Sequence, residues 1–415
     1  MSTPGEARRG PVLAAFALLA ACKTPGLTDV PDAGSSPQAS AVPAPLSTVS
    51  SVDAGASFAG GADAGPPPSN QRADLAMPMD LVAFGKESVF YTLSATVRGA
   101  DMPPPARAPE INVALVEQAK KKNDARLTID LGAGRMRVDF EGAAIPLPEG
   151  VELRARSDRY GHALVFAGGS RYRTLGPGTM RTFFGEGRYD AMPSLGSTVV
   201  TSGAVGWRLG MRTRSVEIST PLGRLSMELG RVADLGDAGG LVCRLLAEWV
   251  DASPTSAPCL DGELPLRAEV RWAGRGAVQF EVQRLTRRTD LGVAQLACPP
   301  PGATFSVYEL PTALSRPFYS ESELAQFHQI VDVPLDPTAP KGLLLVNHTD
   351  AMRLALVDGV PIAQVAPQSR LLVTGLARGH YQLQWRTFLD DAPELPLTVT
   401  VPGKSELGTP DTPAK

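Results

Sequence analysis

Beyond residue 73 apolar and polar side chains alternate at every second position more often than at helical spacing, which marks strands with one buried face. Leu127, Ile129 and Leu131 alternate with Thr128 and Asp130, and Met136, Val138 and Phe140 with Arg137 and Asp139, about a turn at Gly132-Ala133-Gly134. Val216 and Ile218, then Leu225, Met227 and Leu229, repeat the design about Pro221-Leu222-Gly223. Leu266, Ala268, Val270 and Trp272, then Val278, Phe280 and Val282, repeat it about Gly274-Arg275-Gly276. Hairpins of one kind predict a mainly β protein, built on an extended antiparallel sheet with a polar and an apolar face.

Helical patterns are few. Glu110 to Lys122 carries Ile111, Leu115 and Ala119 on one stripe and ends in Lys120, Lys121 and Lys122, which suit the negative end of a helix dipole. Ser320-Glu321-Ser322-Glu323 opens a second candidate, running to Gln329, with a capping pattern. Gly239 to Val250, with Leu245, Leu246 and Trp249, fits helix or strand.

Three prolines in Pro334-Leu335-Asp336-Pro337-Thr338-Ala339-Pro340 disrupt helix and central strand alike, so 334–341 reads as a linker between a β-rich domain (74–333) and a small module (342–402). In the module, Leu343 to Val346, Arg353 to Val357, Ser369 to Val373, His380 to Trp385 and Leu397 to Val401 predict five short strands, with Asp358-Gly359 as a tight turn, as in a β-sandwich. Residues 403–415 read as a disordered tail.

From Lys23 to about Arg72 the chain is Ala, Ser, Pro, Gly and Asp with few large apolar residues. Such a segment buries too little apolar surface to offset chain entropy and is expected to be disordered. About 50 residues of it reach roughly 40 Å by random-coil scaling. Before it lie Arg8 and Arg9, an apolar run from Val12 to Ala21, and Leu19-Ala20-Ala21-Cys22. The run is much shorter than the roughly 20 residues a spanning helix needs, so 1–21 reads as a signal peptide. The ending resembles a bacterial lipobox. That resemblance implies cleavage between Ala21 and Cys22, lipidation of Cys22 with acyl chains such as palmitate, and 22–73 as a lipidated tether. Lys23 in place of an aspartate points to the outer membrane under the rule of enteric bacteria, and leaves the leaflet open.

A net charge of −3 and a pI of about 5.9 argue against a nucleic-acid partner. An exported chain meets an oxidising compartment, and Cys243 and Cys259, which enclose a short Ser- and Pro-containing loop, form the first choice of disulfide over pairings with Cys298. His162, His328, His348 and His380 are scattered without metal-ligand spacing. His162 and His380 fall in alternating strands and read as solvent-facing or strand-edge residues. Gly132-Ala133-Gly134 is followed by a strand and not by the helix a nucleotide-binding turn needs, and no Gly-x-Ser-x-Gly elbow occurs. Gly176-Pro177-Gly178, Gly185-Glu186-Gly187 and Asp390-Asp391 read as solvated loops, and Asn347-His348-Thr349 as an idle glycosylation sequon. The expectation is a protein without enzymatic activity, catalytic residue, metal or cofactor.

The module at 342–402 resembles the PEGA family of bacterial surface domains, on Leu343-Leu344-Leu345-Val346, Leu354-Ala355-Leu356-Val357-Asp358-Gly359, Val365-Ala366-Pro367 and Gly375-Leu376-Ala377-Arg378-Gly379-His380-Tyr381. Ala363 stands where that family often has glycine, and the Pro-Glu-Gly-Ala signature is absent. The resemblance implies a binding or spacer sandwich. The region from Asp74 to Phe305 faintly resembles LolA/LolB-like lipoprotein carriers, on Leu264-Pro265-Leu266-Arg267-Ala268-Glu269-Val270 and Ala297-Cys298-Pro299-Pro300-Pro301-Gly302, and that resemblance implies an incomplete barrel as the alternative to an open antiparallel sheet. Together these imply a lipid-anchored envelope protein in the periplasm or at the cell surface that binds or scaffolds envelope proteins or peptidoglycan. The alternative is a carrier or sensor of acyl chains with an apolar cavity in the middle domain.

Overall fold

In the computed structural model the chain divides into two units, Met1–Ala64 and Gly65–Lys415. Described are residues 76–80, 89–99, 124–142, 145–159, 161–176, 179–180, 198–252, 258–272, 277–306, 311, 313–326, 338, 340–389 and 394–409. Ala21, Cys22, the tether, Glu110 to Lys122, Gly185-Glu186-Gly187, His328, Asp390-Asp391 and most of 334–341 lie outside them.

The strands of the larger sheet are β1 (Phe90–Gly99), β2 (Ala125–Gly132), β3 (Arg135–Glu141), β4 (Glu152–Arg156), β5 (His162–Val165), β6 (Arg171–Leu175), β7 (Thr198–Arg208), β8 (Met211–Ser219), β9 (Gly223–Arg231), β10 (Glu263–Trp272), β11 (Ala277–Arg288) and β12 (Thr304–Phe305). They lie in the order β12-β6-β5-β4-β3-β2-β1-β11-β10-β9-β8-β7, so that among the described residues β7 is an edge strand with no neighbour on its outer side. The protein is mainly β, as the alternation predicts. The β2–β3 hairpin pairs Leu127 with Phe140 and Leu131 with Met136. Its turn places Ala133 at φ 50° and Gly134 at φ 68°, the left-handed pair that matches the twist of the flanking strands.

The ambiguous stretch after Asp237 is helix α1 (Ala238–Glu248), lying on the core face in contact with β2, β3, β4 and β10. Leu241, Val242, Leu245 and Leu246 pack with Ile129, Leu131, Met136 and Leu153 of the sheet. Gly239 is required there, because a Cβ would sit 2.0 Å from the Glu263 carbonyl oxygen. Trp272 Nε1 donates to the Trp249 carbonyl at 3.0 Å and satisfies a group that the helix end leaves open. Cys243 and Cys259 form a disulfide that ties α1 to the segment before β10, and Cys298 is a buried free thiol. A four-residue helix, α2 (Val293–Leu296), follows β11.

The second β-unit is a sandwich of β13 (Arg316–Pro317), β14 (Leu343–Asn347), β15 (Arg353–Val357), β16 (Val360–Val365), β17 (Ser369–Val373), β18 (Gly379–Arg386), β19 (Leu397–Val401) and β20 (Gly403–Leu407). One sheet runs β13-β16-β15-β18-β19 and the other β17-β14-β20, around Leu343, Leu345, Val357, Ile362, Tyr381, Leu383 and Trp385. Two expected boundaries are corrected. Gly403–Leu407, placed in the disordered tail, pairs in parallel with β14 along its whole length. Arg316–Pro317, placed in the preceding domain, pairs with β16, and Tyr319 and Leu324 join the sandwich core. Leu324 ends α3 (Glu321–Leu324), whose start Ser320 and Glu323 cap reciprocally as predicted, while the helix is shorter than expected. β16 was not foreseen because it contains Pro361, which is tolerated where the outer partner β13 covers only Ala363 and Gln364.

Candidate binding site

The outer face of the β17-β14-β20 sheet carries a shallow groove, largely open to solvent, of about 410 Å³. Leu343 and Leu345 point into the sandwich core, so Leu344 and Val346 point outward and floor the groove. Across the strands Val346 sits between Arg370 and Glu406, and Leu344 between Leu372 and Lys404. Two strand spacings put the outer residues of a row about 10 Å apart. Glu406 is engaged by Lys404, and His348 Nε2 lies 3.8 Å from it. The Lys404 hydrogen bond and positive charge, and then His348, hold the Glu406 carboxyl below its ordinary value. Arg370 on the opposite wall has no hydrogen-bond or ion-pair partner among the described residues. The chemistry suits an extended chain or small ligand with an apolar body and an acidic group beside Arg370.

The rim is rigid. Asn347, read as part of an idle sequon, is fully buried. Its amide donates to the carbonyls of Ala351, Val365 and Ala366 at 2.7, 3.1 and 3.0 Å, and its Oδ1 accepts from the Thr349 amide and hydroxyl. Gln368 donates to the His348 carbonyl at 2.7 Å and closes the groove's end. His380 is exposed and within 3.0 Å of the Thr400 hydroxyl.

Two polar clusters are sealed in the larger sheet. Asp80 takes a bidentate pair from Arg135 at 2.8 and 2.5 Å and the Cys298 amide at 3.0 Å. Burial alone would raise its pKa; the Arg135 hydrogen bond, the Cys298 N–H and the charges of Arg135 and Arg156 outweigh that and lower it. Arg156 reaches the carbonyls of Pro78 and Cys298, both at 3.1 Å. These contacts fasten residues 76–80 and 297–298 over β4 and β5. Burial pushes the Cys298 thiol up to about 12, which makes it an inert group beside Met77.

The second cluster corrects the reading of His162 as solvent-facing. Its side chain is fully buried, 3.6 Å from the Glu248 carboxylate at the end of α1. Burial, with Arg244 nearby, depresses His162 far below its ordinary value, and burial pushes Glu248 up to about 8. At neutral pH the pair is an uncharged imidazole beside a protonated acid. The signal was present in Ala163-Leu164-Val165, a continuous apolar run that marks a strand buried on both faces. No group of three or more His, Cys, Asp or Glu side chains among the described residues could hold a metal ion. No described helix is long and apolar enough to cross a membrane.

No protein-family model and no curated protein matches the chain. Among solved structures, two crystal forms of PNGF-II align at 8% identity with TM-scores of 0.31 and 0.29, over 64% of this chain and 42% and 43% of that one. MucB aligns at 9% identity and TM-score 0.23, over 77% of this chain and 81% of its own. This chain thus spans less than half the length of PNGF-II. Likenesses at such TM-scores carry no inference about fold or function.

Proposed function

We propose that the protein is a lipid-anchored component of the bacterial cell envelope, held to a membrane, the outer one in an enteric-type envelope, through acyl chains on Cys22. It works by binding or scaffolding in the periplasm or at the cell surface. The observation that carries the reading is the order Arg8-Arg9, an apolar run, then Leu19-Ala20-Ala21-Cys22. The groove between Arg370 and the Lys404–Glu406 pair supplies a binding face, and the resemblance of its module to PEGA domains supports that use. An envelope protein or peptidoglycan peptide with a free carboxylate has the matching chemistry.

Cys22→Ser is the direct test. The variant is expected to leave the membrane fraction and to lose the mass of the lipid. A variant that still fractionates with membrane and is still processed at the same bond defeats the proposal. The acyl-carrier alternative needs an apolar cavity in the larger sheet. Leu93, Ile129, Leu131, Met136 and Leu153 are instead packed in one cluster with α1, so that alternative rests on its sequence resemblance alone.

A further inference from the structure

The open edge of the larger sheet is unusually apolar. Val199, Val200, Val205, Trp207 and Leu209 are 41, 54, 50, 73 and 45% exposed, and all lie in or just after β7. Exposed edge strands of single-copy proteins are normally blunted by charges, prolines or brevity. β7 is 11 residues long, has no proline, and carries one charge, on Arg208, which Glu228 and Glu281 already engage. Val199 pairs with the core residue Ile218, so it lies on the core face. The irregularity between Ser202 and Val205 inserts two residues and so leaves the alternation in phase, and Val205 and Trp207 lie on that same face, opposite Arg214 and Arg212.

We propose that β7 pairs with β7 of a second copy of this chain, antiparallel about a two-fold axis at Gly203, and joins the two sheets edge to edge. The arrangement is self-complementary in the way a two-fold interface requires. Val199 of each copy faces Trp207 of the other, both pairs on the core face, which continues across the junction. No unpaired charge is brought into contact, because Arg208 is neutralised within its own sheet. Backbone groups on the outer side of β7 gain partners in the same step.

The register makes the test specific. Opposed residues of an antiparallel pair have Cα atoms about 4.5–5.5 Å apart, within the span of a disulfide. Two copies of residue 199 would lie roughly 27 Å apart. Full chains carrying Val199→Cys and Trp207→Cys, mixed and oxidised, are therefore expected to cross-link efficiently, and each variant alone is not. Sedimentation of the unaltered chain should show a dimer that Val205→Lys converts to a monomer with unchanged circular dichroism. A chain that is monomeric up to about 0.1 mM, some hundredfold above a micromolar dissociation constant, overturns the proposal, whether or not a foreign strand is later found on that edge. Cross-linking as strong within each variant as in the mixture overturns it too.

Discussion

His162 Nδ1 lies 3.6 Å from Glu248 Oε2 with neither side chain open to solvent. Among the described residues no hydrogen-bond partner exists for either imidazole nitrogen or either carboxyl oxygen. The pair makes stability depend on pH in two opposing ways. Glu248 titrates near 4.5 when unfolded and about 8 when folded, so the folded state holds a proton that the unfolded state has lost, and stability falls as pH rises through that window. His162, near 6.5 unfolded and far lower folded, costs stability as pH falls below 6.5. The two slopes cancel between about 4.5 and 6.5, and above that only the Glu248 loss remains. Thermal unfolding should show about 2 kcal/mol less stability at pH 8 than at pH 6 from this source. Glu248→Gln should flatten that limb; an unchanged pH slope in the variant would assign the loss elsewhere.

Asp80 is the hinge pin of the other buried cluster. Removing it strands the guanidinium of Arg135, partly that of Arg156, and the Cys298 amide. Breaking a buried pair on one side costs about 3–5 kcal/mol. Asp80→Ala should lose that much in urea unfolding and expose the 76–80 segment to limited proteolysis. A loss under about 1 kcal/mol would mean that Arg135 finds water instead.

Counting thiols checks three positions at once. Cys298 is buried, with its thiol pushed up to about 12, so at pH 8 about one molecule in ten thousand carries the thiolate that reacts. Native alkylation should add no label at Cys298, denaturation one, and reduction two more from Cys243 and Cys259. Replacing both bridged cysteines by alanine should cost about 3 kcal/mol on the chain-entropy account for a loop of this length. A label on Cys243 or Cys259 without reduction, told apart by peptide mapping from one on an unlipidated Cys22, would break the disulfide assignment.

What the sequence made legible was local. Strands adjacent in sequence announced themselves through Leu127-x-Ile129-x-Leu131 and its counterparts, because each hairpin buries its own alternating face. Their order beyond the hairpin was not legible: β1 pairs with β11 across the chain, and no local pattern encodes that. The groove escaped for a related reason, since Arg370, Lys404 and Glu406 look individually like solvated surface charges and acquire meaning only when β14 brings β17 and β20 together. His162 escaped because its polarity outweighed the apolar run beside it.

β20 shows why the end of the sandwich was missed, and offers the sharpest test of the fold. In Gly403-Lys404-Ser405-Glu406-Leu407 the outward positions are charged and, of the inward ones, only Leu407 is large and apolar, so the segment carries almost no apolar alternation. Its placement comes from tertiary contacts. Gly403 has no room for a Cβ, which would meet the Thr400 carbonyl oxygen at 2.2 Å, and Ser405 accepts a hydrogen bond at 3.3 Å from Trp385 Nε1, which is buried in the core. Ending the chain at Pro402 removes five paired residues from β14, uncovers one side of the core and leaves the indole N–H unpaired. An unsatisfied buried donor alone costs about 1–3 kcal/mol. The truncated chain should therefore show a lower-temperature unfolding step and increased Trp385 exposure by fluorescence. Ser405→Ala should show a smaller loss, confined to the hydrogen bond. If the truncation unfolds like the full chain, β20 is not part of the sandwich's stable core.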